Sequence, residues 1–482
     1  MSTCSSVHIS LPHSLTAATW QPVQGYSEAQ TVQSLVVYPR SIEDCQLILE
    51  QCRQYGYLIC CRGGGYTYGD MILNSDQIIL DTTQMSQVLQ WDTEAGTITV
   101  QPGVTFASIF RKSLLCNWAL SSCPGGMDVT IGGAVSNNVH GKDACKNGNF
   151  GDQVLHLKLL LSSGEVIEVD RAENAELFRA VIGGMGLLGI IVEVTLQLKK
   201  IPSPYVLVTS SHVRNIEESI EVLERSKENS DFSVAWVDAF AKDSRLGRGY
   251  VSTGKWLETD KKADVISLRN SLRKPNLLFG LLPAKPTWFI ARPFFKPWGI
   301  RNVNRLHYQL AKYQISSKKK ASIPQLFTDY NFMHNKIPEL KHVYRPHGFY
   351  EFQPLIPRAC GVETVKELFL LCQRHGSESL LCGMKVHKAD DYLISYEGAG
   401  YSIGVDIQIG GRPKEQIVQF AKEIFAFTKN CGGKIFLAKD EMLDRDTFQN
   451  MYPHYKRFIE LKRKYDLQGM FSSGMFRRLM ST

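Results

Sequence analysis

Nothing in this chain spells out a metal centre or a crosslinked framework. Its 12 cysteines include no C-x-x-C pair at zinc spacing, and Cys60 and Cys61 are adjacent. They read as reduced core and loop thiols, and no metal is expected. No apolar run reaches the ~18 residues of a membrane-spanning helix. Residues 1–20 have neither a basic start nor a continuous apolar core, so no secretory signal is expected and the expected location is cytoplasmic. There is no internal repeat and no nucleic-acid-reading motif, so no nucleic-acid partner is expected. What is present is ordinary for a globular chain: 482 residues, 44% hydrophobic and 21% charged, enough for two or more domains. The net charge of +8 favours an anionic partner or surface without choosing among nucleic acid, phosphorylated substrate and membrane.

Glycine is concentrated where it can do chemistry. "CRGGGYTYGD" (61–70) follows the apolar run Tyr57-Leu58-Ile59-Cys60 and precedes the strand-like 77–81. No Gly-Lys-Ser/Thr follows it and no GxGxxG opens a helix, which excludes a nucleoside-triphosphate loop and a Rossmann turn. Glycine-rich backbone still suits phosphate oxygens, because N–H groups can approach with no side chain between. A second stretch from Pro124, "PGGMDVTIGGAVSNNVHGKDACKNGNFGD", and a third, "VIGGMGLLGIIVEVTLQL" from Val181, repeat the pattern. Two such loops about sixty residues apart suit a dinucleotide with a pyrophosphate in its middle.

Residues 36–200 alternate strand-like runs (98–100, 158–161, 190–198) with a helical one (41–55), an α+β pattern. Ile201-Pro202-Ser203-Pro204 interrupts it. Beyond lie strand-like 234–237 and 349–356, a helical 362–374 and a Lys/Arg-rich C-terminal helix. The expected division is 1–204, 205–428 and 429–482.

The order RGGG-x-T-Y-GD, PGG…TIGGAVSNNVHGK…GNFGD, SSGE and IGGMGLLGII resembles the FAD-binding domain of the vanillyl-alcohol oxidase and para-cresol methylhydroxylase superfamily. "SVAWVDA", "AKDEMLDRDTFQNMYPHYKRFIELKRKYD" and "FSSGMFRRL" extend the likeness over nearly the whole chain, toward members that oxidise a lipid-linked ribose. The resemblance implies an α+β, two-domain flavoprotein with a bipartite FAD-binding domain, to which the C-terminal segment returns. It also implies a substrate domain built on an antiparallel sheet. FAD would lie along Cys61, Arg62, Gly63, Gly64, Gly65, Tyr66, Thr67, Tyr68, Gly69, Asp70 and Met71. Gly125, Thr130, Ile131, Gly132, Gly133, Asn137, Asn138, His140, Ile191 and Phe436 would complete its surroundings. Flavinylated relatives often carry a histidine in the first glycine loop; here Tyr66, Thr67 and Tyr68 stand there, so non-covalent FAD is expected.

The implied activity is oxidation of a secondary alcohol of a sugar, such as decaprenylphosphoryl ribose at its 2'-hydroxyl. That is the first half of an epimerisation, with an NAD(P)H-dependent reductase as partner. Lys439 and Lys385 match the family's active-site lysines, with His140 beside the flavin; these three are the expected catalytic residues. Without the resemblance each lysine reads as exposed and salt-bridged to a neighbour, Asp440 in the case of Lys439. Trp236, Glu351, Gln353, Lys385, Gly404 and Lys439 would contact the substrate. Glu351 departs from the family's glutamine, Asn137-Asn138 from a cysteine and an aspartate, and Gly404 from a cysteine, which leaves the sugar open. A soluble sugar, polyol or aldonolactone remains an alternative substrate, and a non-catalytic flavin-binding partner protein an alternative role.

Independently of any resemblance, residues 242–345 hold about twenty basic residues against six acidic ones. Within 276–320, Leu277, Leu278, Phe279, Trp288, Phe289, Phe294, Phe295 and Trp298 interleave with Lys285, Arg292, Lys296 and the run Lys318-Lys319-Lys320. This composition predicts a mobile, membrane-facing flap over the substrate mouth, with peripheral contact to the inner face of the membrane. The bland reading is a proline-rich wall of the substrate domain.

Overall fold

A computed structural model describes residues 18–278, 281–316, 322–396 and 398–481. Phe279, Lys318, Lys319 and Lys320 of the basic, apolar segment lie outside the described residues.

The first sheet starts from a hairpin, Thr19–Gln24 against Thr31–Val37. Helix Ile42–Tyr55 follows because its ends are specified: Ser41 Oγ accepts the Asp44 N–H at 3.2 Å, Glu43 and Asp44 sit in the first turn, and Gly56 stops it at φ 72°. Its apolar face (Cys45, Ile48, Leu49, Cys52) packs with Leu35, Ile59 and Leu80. Ile59–Arg62 and Ile78–Asp81 pair in parallel, so the first glycine loop leaves the carboxyl end of a parallel strand. A second sheet of five antiparallel strands runs in the order Val88–Asp92, Thr97–Val100, Ile190–Gln197, Val154–Leu160, Val166–Asp170. Leu160, Ile190 and Val192 join it to the first core.

The third sheet has eight strands, all antiparallel: Ser322–Leu326, Tyr205–Val213, Gly249–Trp256, Phe232–Val237, Cys382–His387, Gly400–Ile403, Pro354–Pro357 and Lys434–Ile435. The α+β class and the antiparallel substrate-side sheet are thus observed. The single strand expected over 349–356 is instead two. Phe349–Phe352 pairs with Val405–Gln408, whereas Pro354–Pro357 joins the large sheet. Pro354 has no N–H for a ladder and restricts the residue before it, so pairing lapses at Gln353. The Gln353 carbonyl accepts the Phe436 N–H instead, at 3.1 Å.

The last fifty residues cross back to the first sheet. Phe471 bridges Ile59 in parallel, the Ser472 N–H donates to Ile59 O at 2.8 Å, and Ile59 donates to Met470 O at 2.7 Å. Arg478, on helix Gly474–Leu479, grips both carboxylate oxygens of Asp70 at 2.8 Å.

The segment expected to form one exposed flap divides by helical phase. Trp288, on helix Ala284–Ala291, is only 9% exposed and packs with Val343, Tyr344 and Phe349, its indole N–H donating to Pro338 O at 2.7 Å. Phe295 tucks against it. One residue on, Phe289 faces the opposite way and is exposed, as are Phe294 and Trp298. Trp288 therefore belongs to the core, and the flap reading is corrected to that extent. Among the described residues no helix is long and apolar enough to cross a membrane.

Candidate active site

A cavity of about 1240 Å³ lies where the three sheets meet. Along one wall the three glycine stretches converge. A Cβ on Gly63 would sit 2.2 Å from Thr130 Oγ1, one on Gly64 2.7 Å from Asp128 O, and one on Gly186 3.1 Å from Cys61 Cβ. Side chains there would force the loops apart. The loop is held from outside: Tyr26 N–H donates to Thr67 O and Tyr68 N–H to Ala438 O, each at 2.8 Å. Arg62 pairs with Asp81 at 2.9 Å, and Tyr66 stacks on Tyr26. Among the described residues the backbone N–H groups of Gly65, Tyr66 and Thr67 donate to nothing, and buried Asn137 Oδ1 and His140 Nδ1 have no partner. All of these residues line the cavity. Unpaired backbone donors lining the cavity beside two buried, orphaned side-chain atoms fit a pyrophosphate-bearing dinucleotide, because polar groups turned into a cavity look to a ligand for partners.

At the far end three short elements deliver ionisable groups. Cys382–His387 supplies Lys385, Phe349–Phe352 supplies Glu351, and the turn Leu437–Lys439 supplies Lys439. Lys439 is ion-paired with Glu351 and lies 5.2 Å from the centre of the Tyr68 ring. Asp440, the partner of Lys439 in the bland reading, pairs with Arg478 at 3.0 Å instead, because the chain leaves the turn Leu437–Lys439 at this residue and the two side chains diverge. Lys385 has no hydrogen-bond or ion-pair partner among the described residues. Burial, then the charge of Lys439, pushes it down to about 8.

His140 accepts from the Gln353 amide at 2.9 Å, which places its own proton on the unpaired Nδ1. Burial first, then Lys385, holds it well below the ordinary histidine range, so the imidazole is neutral. His387 is likewise pushed down to about 3 and bonds Ser402 Oγ at 2.8 Å, its ring 4.7 Å from that of His140.

Most of the anticipated residues line this one cavity: Cys61 through Tyr68, Met71, Gly125, Thr130, Gly132, Gly133, Asn137, His140, Ile191, Glu351, Lys385, Phe436 and Lys439. The others stand behind it. Gly69 is pressed against Asp440 O, Asp70 is bound to Arg478, and Ile131 is wholly buried. Asn138 spends its amide on Asp390 and Ser395 and accepts from Gly151 N. Gln353 reaches the cavity only through His140. Gly404 is a neighbour of Glu351: a Cβ there would sit 3.4 Å from its carboxylate. Trp236 is drawn away, stacked on Tyr250 and met edge-on by His307 of helix Pro297–Ser316 at 4.6 Å.

Two participants escaped the sequence. His387 follows Lys385 by two residues on a strand, a spacing that puts both on one face and was available to be read. Tyr26 carried no signal, since only the hairpin brings it onto Tyr66 and Tyr68.

A glycine-walled dinucleotide cavity with two lysines at its far end fits an FAD-dependent oxidoreductase acting on CH–OH groups, and the similarities of this chain show it to be one. Residues 33–170 match the family described as FAD binding domain, and residues 300–479 match D-arabinono-1,4-lactone oxidase. Decaprenylphosphoryl-beta-D-ribose oxidase of Mycolicibacterium smegmatis is 27% identical over 430 residues, 87% of this chain and 89% of that protein. L-gulonolactone oxidase of Mus musculus is 25% identical over 444 residues, 90% of this chain and 92% of its own. D-arabinono-1,4-lactone oxidase of Yarrowia lipolytica is 26% identical over 219 residues, 45% of this chain and 41% of its own.

With no histidine in the first glycine loop and His140 enclosed by Gln353, His387 and Phe436, the holoprotein is expected to release intact FAD on acid or heat treatment. Yellow colour that stays with the denatured polypeptide would show a covalent link.

Proposed function

We propose that this enzyme oxidises a secondary alcohol on a sugar carried by a polyprenyl phosphate, of the decaprenylphosphoryl ribose type. An NAD(P)H-dependent reductase would complete an epimerisation. The observation that carries the reading is the mouth of the cavity, built by Lys274, Pro275, Asn276, Pro283, Ala284, Lys285 and Pro286. Around it Leu281, Phe289, Ile290, Phe294 and Trp298 are all more than half exposed. Lys274 is engaged with Asp128 and Lys341 with Glu28, while Lys285 has no ion-pair partner among the described residues. An unpaired cation beside exposed apolar rings suits a phosphate with a prenyl chain attached.

FAD, when bound, supplies the acceptor for the carbinol hydrogen as hydride. The chain's own residues would do the rest. The glycine wall and Asn137 would hold the dinucleotide, and Tyr68 and Phe436 would exclude water. Glu351 and Gly404 would border the sugar, and a lysine would take the hydroxyl proton.

The match of residues 300–479 to a lactone oxidase favours a second reading, oxidation of a soluble aldonolactone. The two separate in one experiment: anaerobic bleaching of the flavin by farnesylphosphoryl-β-D-ribose, D-arabinono-1,4-lactone and L-gulono-1,4-lactone. Preference for the prenylated sugar, together with salt-weakened binding to anionic vesicles that falls further when Phe289, Phe294 and Trp298 become serine, is the expected result. Preference for a lactone, with no vesicle binding, would favour the soluble substrate.

A further inference from the structure

We propose that Lys385, not Lys439, takes the proton from the substrate hydroxyl, and that Glu351 is the positioning residue that assigns the two lysines different tasks. The proposal rests on the reading that this cavity oxidises a secondary alcohol.

The geometry separates the lysines. Lys439 is tied to Glu351 and lies over the Tyr68 ring, so its nitrogen is already engaged on both sides. A lysine so held has its nitrogen occupied by a carboxylate and is poorly placed to receive a proton from substrate. Lys385 lines the same cavity with no hydrogen-bonding or ionic partner among the described residues, which is costly for a charged amine but not for a neutral one.

The groups around Lys385 agree. Facing it are the Lys439 cation, the Glu351 carboxylate already engaged by that cation, the neutral rings of His140 and His387, and Lys142 beside Asp143. Lys142 is pushed down to about 7, by burial first and then by Lys385, but it is not among the residues lining the cavity, and its nitrogen is spent on Tyr330 O at 2.6 Å and Asn331 O at 2.8 Å. Burial and Lys439 together bring Lys385 down to about 8, so a useful fraction is the free amine near neutrality.

In the step itself the O–H bond breaks and its proton goes to the lone pair of Lys385 Nζ, giving an ammonium. The electrons of that bond become the second carbon–oxygen bond. The carbinol hydrogen would leave as hydride, and FAD held by the glycine wall would supply the two-electron acceptor, so that the carbon is oxidised and the electrons balance. The carboxylate at position 351 holds Lys439 in an ion pair, and the Lys439 cation suppresses the charge on Lys385 while the carboxylate itself favours it.

Two measurements on the holoprotein test this. The first is competitive labelling with acetic anhydride as a function of pH, read by peptide mass spectrometry without substrate. Lys385 is expected to gain reactivity with a midpoint near 8, well below exposed lysines. The second is the pH profile of anaerobic flavin reduction by whichever of the three probes bleaches the wild type. Lys385→Gln is expected to slow it roughly a hundredfold or more and to abolish the alkaline rise. Glu351→Gln removes a carboxylate that favours the ammonium of Lys385, so it is expected to move both the labelling midpoint and the kinetic rise to lower pH. A merely structural role for Glu351 would not produce that direction.

A labelling midpoint like that of exposed lysines, or a Lys385→Gln profile parallel to wild type, overturns the proposal while leaving the oxidation intact. Bleaching by none of the probes overturns the underlying reading and the role of Lys385 with it, whatever the labelling midpoint.

Discussion

Lys439→Ala is expected to keep its FAD and to lose roughly a hundredfold in the rate of anaerobic flavin reduction, measured by stopped flow. Retention is expected because the glycine wall, which contributes the unpaired backbone donors, does not depend on this side chain. The loss comes from removing the one cation that Glu351 fixes inside the cavity. The variant also carries a signature in pH. Taking away a neighbouring positive charge makes the Lys385 ammonium easier to keep, so the alkaline rise is expected at higher pH than in wild type, and the deficit should shrink toward pH 9. Reduction at the wild-type rate would remove Lys439 from the chemistry.

The second large effect is expected far from the substrate. Lys462 and Asp466 are 5% and 2% exposed, and the ammonium donates to Asp466 at 2.6 Å, to Leu187 O at 2.9 Å and to Phe471 O at 2.7 Å. Asp466 in turn accepts the N–H groups of Met470 and Phe471. Asp466→Ala strands a buried ammonium and frees two backbone donors, at an expected cost of about 3–5 kcal/mol. Phe471 is also the residue that bridges Ile59, the strand from which the first glycine loop departs. Thermal melts followed by flavin fluorescence should therefore show cofactor release and unfolding both shifted down. Replacing Lys462 and Asp466 together by Met and Leu should restore much of the loss, since neither charge is then left alone. Equal melting of wild type and Asp466→Ala would show the pair to be dispensable.

How much of this was legible in advance depended on range. Helix Ile42–Tyr55 announced itself because cap, first-turn acids and terminal glycine are neighbours in sequence. The glycine stretches could be read as ligand-facing because their signal is compositional. Lys385 and Lys439 stood out only through resemblance, and the partner of Lys439 did not stand out at all. Glu351 is 88 residues away and arrives by the pairing of Phe349–Phe352 with Val405–Gln408. Asp440, the local choice, was the wrong one for a reason of geometry: Lys439 closes a short turn, and Asp440, the first residue beyond it, points back to Arg478. The aromatic segment was misread at Trp288 for the complementary reason, since composition records that a ring is present and not which face of a helix bears it.

The pairing of the last segment with the first sheet also sets an order of events during biosynthesis. Asp70 and the arginine that grips it are 408 residues apart, and Tyr68 takes its backbone acceptor from Ala438. Chains emerge amino end first, so the glycine loop exists long before the residues that brace it. The loop is braced only once residues 438 and 470–478 have folded against it. A chain cut before residue 436 is therefore expected to hold less FAD than the full one, read as flavin content per purified chain.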